Sequence, residues 1–284
     1  MREPGHYYTA YFTSLAVGFD PTIALRNAVF AQMPDEVNAL DAKFQEESRV
    51  TAQGGMVNWV TCERDLIQRA LHSLTGGASE TERNLTKAAL RSTTPGTLEF
   101  GFLLHRFGDT YAHSMIGNET RMYDTGFGHA GDLNDPDLIH VRPGLFRAFV
   151  ADLYATLKDV AHGLAPRLSQ EQVVAVAGVT ANIKVMVAGP RGAVAVEMAA
   201  SECAQIRCLR DAARAQMGIE LDTYTPESED TMSWVRFKTK HDQFMHQLSG
   251  AKIAWADVAL AVNTVARMVN QEQHRDLAYP LRPQ

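Results

Sequence analysis

The stretch His105-Arg-Phe-Gly-Asp-Thr-Tyr-Ala-His113 sets two imidazoles and a carboxylate at four-residue intervals. Residues four apart on an α-helix are rotated by only about 40° from one another, so His105, Asp109 and His113 would share one face over two turns. His and Asp are suitable ligands for zinc or a similar divalent ion. A polar stripe on an exposed helix is the blander account of the same spacing. The neighbours Phe100, Phe102, Leu103, Leu104, Phe107 and Tyr111 argue against it, because they are apolar nearly all round and so place the helix inside the protein. Buried polar groups need partners, which favours a metal site.

Other donors lie along the first half of the chain. Of ten histidines, His6, His72, His105, His113, His129 and His140 fall within the first 140 residues. His6 begins the first helix, and His72 comes late in an apolar helix containing Leu66, Ile67, Ala70 and Leu71. Taken singly, each reads as a core or capping histidine, and Asp35, after Pro34, as an ordinary helix-end acid. His129 stands in Gly-Phe-Gly-His-Ala-Gly-Asp, where the glycines free the backbone to bring its imidazole inward. Asp132, Asp135 and Asp137 crowd the same loop, and turn formation accounts for at least one of them.

The order of these residues resembles that of the zinc-dependent phospholipase C and fungal single-strand nuclease superfamily. That order is a His near the start, an Asp one helix on, a His in the third helix, His-x3-Asp-x3-His, and then a His with an acid nearby. The resemblance spans roughly residues 6–160 and is one of motif order. It implies an all-α, multi-helix bundle with up to three zinc ions in a cleft between helices. Carried over, Asp35, His72, His105 and Asp109 would hold one zinc. His113 and His129 with a loop acid, Asp132 or Asp137, would hold a second, and Asp109 would bridge to a third ligated by His6. The chain departs from the family pattern at three places. It begins Met-Arg-Glu-Pro-Gly where the family offers the amine of a Trp. Asp109 and His113 are a single turn apart where the family has a longer gap. His129 has Asp132 at three residues and Asp137 at eight, where an acid one turn on is usual.

The elements that must position these donors read as helices. His6–Val17 is apolar and stops at Gly18, and Asp20-Pro21 provides an N-cap and first-turn proline for the next helix. A polar piece covers 41–55, and residues 56–74 read as a helix closed by Gly76-Gly77. Ser79 with Glu82 has capping-box spacing for a helix over 80–91. Thr94-Pro95 opens the helix that carries the quoted stretch to about Gly117. Residues 118–142 have no clear period and read as a long loop, a length often tied to function. Pro143 starts an amphipathic helix, and further helical segments follow on either side of an acidic piece at 218–232. The expected organisation is a single all-α domain over 1–284, with the metal-site half in 1–160 and a helical remainder in 161–284.

Composition narrows the function. A formal charge of −6 argues against a protein that coats nucleic acid. Three cysteines without CxxC spacing exclude a cysteine-based zinc finger and give no disulfide framework. No Gly-rich phosphate loop, HExxH or GxSxG is present. Arg106 points off the ligand face, whereas Arg121 and Arg142 in the loop could meet a phosphate. His241 and His246 do not share a helical face, and Trp234 and Trp255 read as core residues.

The expectation is therefore a zinc-dependent hydrolase of phosphate esters, phospholipase C-like, with two or three Zn2+ per chain. Metals a few Å apart can activate a water and clamp a phosphate through an in-line displacement. Asp109, Asp35 and Asp137 are the carboxylates expected to share in that chemistry, a loop carboxylate assisting proton transfer. The alternatives are a single-strand nuclease-like phosphodiesterase and a non-catalytic helical protein with a structural metal site. The expected partner is a phospholipid or other phosphodiester, met in transient contact with a membrane surface, and nucleic acid ranks below it. With no basic leader and no apolar run of eighteen residues, the chain is expected to stay in the cytoplasm or leave by a specialised secretion system. A bacterial toxin effector of that kind would also meet a delivery machine and an inhibitor protein.

Overall fold

Proline at the start and glycine past the end set the first helices. Pro4–Tyr8 forms one π-helical turn that runs straight into α1, Thr9–Ala16. Gly18, at φ +107°, ends this helix where a Cβ would lie 2.5 Å from the Ala165 carbonyl oxygen. Asp20 then accepts the Thr22 N–H at 2.8 Å and opens α2, Pro21–Glu36. The computed structural model describes residues 1–36, 40, 62–125, 128–129, 132, 135–186, 193–222 and 255–269. The expectations for 41–55 and 56–61, for most of 218–232 and for Trp234, His241 and His246 lie outside them.

The remaining helices are α3 (Cys62–Ala70), α4 (Ser79–Arg91), α5 (Leu98–Ala112), α6 (Pro143–Val160), α7 (Gln170–Ala181), α8 (Ala193–Met217) and α9 (Trp255–Met268). The described chain is mostly helical, and no helix among the described residues is long and apolar enough to cross a membrane. α5 is the central element. It packs against α2, α4, α6 and α9, and every residue from Phe100 to Ala112 is buried. This is why its sequence is apolar on all sides: a helix wrapped by neighbours has no solvent face. The core around it takes side chains from Tyr7 in the π-helical turn through Val269 after α9.

The tightest approach at any glycine among the described residues fixes α2 against α5. A Cβ on Gly101 would stand 2.0 Å from the Phe30 Cβ, so the helices meet with no side chain between them. Ala31 follows Phe30 directly, and about one turn further along each helix lie Asp35 on α2 and His105 on α5. The crossing thus delivers two of the metal-site candidates to each other.

The structure corrects the sequence reading at several boundaries, and α3 is one of them: it ends at Ala70, so His72 lies past the helix rather than inside one that runs to residue 74. The helix carrying the quoted stretch ends at Ala112, with His113 as its C-cap, rather than near Gly117. Ser114–Met115 (β1) and Asn118–Met122 (β2) instead form an antiparallel hairpin, in part of what read as helix and loop. Its start is likewise Thr97, whose hydroxyl accepts the Phe100 N–H, rather than Thr94-Pro95. The Ser79–Glu82 capping box does not form, because both side chains are engaged elsewhere. Ser79 donates to the Glu119 carbonyl, and the Glu82 carboxylate pairs with Arg106. A capping box does form where it was not read, between Ser169 and Gln172 at the start of α7.

Gly101→Ala is expected to destabilise the protein by about 3 kcal/mol, the upper end for overpacking a close helix crossing. Denaturant unfolding of the two proteins measures the difference, and an unchanged midpoint would contradict the contact.

Candidate metal centre

Asp109 is buried in the last turn of α5, and its two oxygens look in different directions. Oδ2 lies 3.2 Å from both His72 Nδ1 and His105 Nε2. Oδ1 lies 3.1 Å from His6 Nε2 and 2.6 Å from the Met1 amine. Asp35, at the end of α2, reaches the same place, its Oδ1 standing 3.6 Å from His105 Nε2 and 4.0 Å from His72 Nδ1. A third group forms beyond the end of α5, where His113 Nε2 is 3.3 Å from Asp137 Oδ1 and His129 Nε2 is 3.5 Å from Asp137 Oδ2.

The rings are held by their outward nitrogens. His105 Nδ1 is 2.7 Å from the Ala31 carbonyl, His72 Nε2 is 2.7 Å from the Leu40 carbonyl, and His113 Nδ1 is 2.7 Å from the His72 carbonyl. A carbonyl only accepts, so each outward nitrogen carries the proton. In the neutral ring, the inward nitrogen then presents a lone pair. His72 Nδ1 and His105 Nε2 thus face each other at 3.1 Å, and both face a carboxylate oxygen. Such a set of acceptors calls for a cation. Two ligands of a tetrahedral zinc, each bound at about 2.0–2.1 Å, stand about 3.3 Å apart. The donor separations around Asp109, Asp35, His72 and His105 bracket that value. The orienting of ligand imidazoles by backbone carbonyls is likewise usual at metal sites. The residues present therefore fit a divalent ion at His113, His129 and Asp137, and another at Asp35, His72 and His105 or at His6, His105 and Asp109, two groups that share the single lone pair of His105.

The chain without metal balances these charges with protons. Burial would push the Asp109 carboxyl up, but His113, the Met1 amine, His105 and His6 hold it well below the usual carboxylate range. Burial opposes the charge of His72 and His113, yet Asp109 raises both, with Asp137 adding to the rise at His113. For His105 burial wins and its value falls to about 4. His6 falls too, through burial and the facing His105 and Met1 amine. The amine itself is drawn up to about 10, because Asp109, Asp137 and Asp35 outweigh its burial.

The structure brings Asp35, His6, His72, His105, Asp109, His113, His129 and Asp137 into one cluster. Asp132, the other loop acid expected as a ligand, goes elsewhere: its Oδ2 accepts the hydroxyl proton of Tyr123. Tyr123 in turn packs edge-on to His129, with ring centroids 5.9 Å apart. The Asp132 N–H is bonded to the His129 carbonyl at 2.9 Å. Asp137 arrives instead on the short helix Asp135–Asp137. The one-turn gap from Asp109 to His113 is accommodated because α5 ends there, which leaves the His113 ring free to turn toward Asp137. Two participants had no signal in the sequence, the carbonyls of Ala31 and Leu40, whereas the Met1 amine takes part even though the chain lacks the Trp that offers the amine in the resembled family. Of the arginines, Arg142 is spent on the carbonyls of Ser114 and Ala112 at the end of α5, and Arg121 on that of Gly76.

Compared with known proteins, the chain matches no family model, and no curated protein or solved structure shows significant similarity to it.

Two expectations follow from the geometry. Asp137→Asn is expected to lose one zinc per chain in elemental analysis, whereas Asp132→Asn keeps the full complement. The reverse result would return Asp132 to the ligand set. A divalent ion bound there would have to displace the protons on His72 and His113, which Asp109 holds above the ordinary imidazole value. Zinc affinity is therefore expected to weaken progressively as pH falls from 8 to 6, in titrations against a competing chelator.

Proposed function

We propose that the protein is a zinc-dependent hydrolase of phosphate esters, of phospholipase C-like type. The observation that carries this reading is the pairing of inward lone pairs with two-sided Asp109. One carboxylate serves His72 and His105 through Oδ2 and His6 through Oδ1. A carboxylate shared in this way can hold two divalent ions a few Å apart, and a structural zinc with four closed ligands has no need of it. Zinc ions bound there would supply a water of lowered pKa and neutralise charge developing on a phosphate.

The chain's own residues define the rest. His6, His72, His105, Asp109 and His113 are buried. Asp35, His129 and Asp137 are partly open, at 28, 22 and 21% exposure, and so form the mouth through which substrate and water would come. Asp137 is held below its ordinary carboxylate range by the Met1 amine and His113, against the effect of burial, so it stays ionised and suits a ligand better than a proton acceptor. Asp35 is the more open carboxylate and is placed to orient a water and accept its proton. No arginine or lysine side chain among the described residues is paired with the cluster's carboxylates. A zwitterionic phospholipid fits an acidic mouth better than a polyanion does.

The purified protein is expected to contain two or three zinc ions and to hydrolyse phosphatidylcholine faster than single-stranded DNA. Asp109→Asn is expected to lower the activity at least 100-fold together with the zinc content. One zinc per chain and no hydrolysis would support a structural metal instead, and full activity in Asp109→Asn would refute the shared carboxylate.

A further inference from the structure

We propose that Arg106 is a positioning residue that sets the imidazoles of His72 and His113 together, and the inference rests on the metal reading of the cluster. Arg106 is adjacent to His105 on α5 but points away from it, and its side chain is fully buried. Its Nη1 donates to the carbonyls of Arg69 and, at 3.0 Å, Ala70, at the C-terminus of α3. Nη2 pairs with Glu82 Oε2, and Nε donates to Thr86 Oγ1 at 3.1 Å, both on α4. Glu82 Oε1 in turn accepts the Thr75 hydroxyl at 3.0 Å.

The clamp therefore grips the chain on both sides of His72, at residues 69–70 before it and at Thr75 after it. Between the grips the backbone turns sharply. Ser73 has φ +56°, the left-handed region that usually takes glycine at a helix end. Carbonyls left over at a helix C-terminus are commonly met by backbone N–H groups, and here a guanidinium meets two of them. His72 is thus fixed twice, by its Nε2 on the Leu40 carbonyl and by the clamped backbone. Its own carbonyl takes the proton of His113 Nδ1 at 2.7 Å. A shift of the His72 peptide moves the ring in one ion group and the anchor of the ring in another. Lysine can keep the pairing with Glu82, but it lacks the planar fork that reaches Thr86 and two carbonyls as well.

The test compares the wild type with Arg106→Lys, using Zn2+ alone titrated against a chromophoric chelator and the ring nitrogen resonances of histidines in the zinc-free protein. Arg106→Lys is expected to bind the same number of ions about 10- to 100-fold more weakly, as loss of ligand-orienting contacts does elsewhere. The resonances of His72 and His113 shift together while that of His6 stays. A second variant, Arg106→Met with Glu82→Leu, replaces the buried pair by apolar side chains, a change that is often neutral for folding. It is expected to show the same weakening and the same paired shift. Wild-type affinity in either folded variant, or weakened affinity without a shift at both rings, overturns the proposal. If the wild type takes up no zinc, the metal reading fails, and the paired ring shift in the zinc-free variants still decides for or against the clamp.

Discussion

A carboxylate sealed inside a helix bundle has to be surrounded by positive charge or donors, and Asp109 sets that requirement for this fold. A buried ion stripped of water is unfavourable by several kcal/mol unless its oxygens are met. Asp109 is met by groups from four parts of the chain: the Met1 amine and His6 at the N-terminus, His72 after α3, His105 beside it on α5, and His113 at the end of α5. Each of these segments must therefore be in place before the carboxylate is satisfied. The packing of α5 against its neighbours and the geometry of the candidate centre are in this sense one problem.

The segments are held there chiefly by backbone polar groups. Carbonyls of Ala31, Leu40 and His72 fix three rings, and the Arg106–Glu82 pair fixes the turn that carries one of them. Backbone anchors suit this purpose because a carbonyl inside a packed element has no rotamer to change. A side chain such as Gln68 could not serve in the same way. Its amide is buried with no hydrogen-bond partner among the described residues, although it lies one turn before His72.

Much of this was legible before the structure. Spacing placed His105, Asp109 and His113 on one face, the apolar neighbours placed that face inside, and helix caps located α1, α2 and α6 to within a few residues. The grouping of His6, Asp35 and His72 with them came from motif order, since nothing local marks those residues as ligands. The misjudged parts depend on contacts between distant residues. Ser79 and Glu82 have capping spacing, but a charge on α5 and a carbonyl in the hairpin outcompete the local bonds. Asp132 and Asp137 are indistinguishable by composition, and only the course of the loop separates them. Arg106 did carry a signal, being a charged residue between His105 and Phe107 on a buried helix. A group so placed must have a partner.

Gly101 and Gly108 lie seven residues apart, just under two turns, and so fall on one line along α5. The first admits α2, and the second admits the His6 ring, whose Cε1 would stand 3.0 Å from an added Cβ. His105 lies between them, and Asp109 follows directly. The pattern Gly-x3-His-x2-Gly-Asp-x3-His thus encodes both the candidate ligands and the clearance their packing needs. Distant kin of this chain should be sought by that combined signature, because ligands drift in number and spacing while a missing side chain at a helix crossing has no substitute.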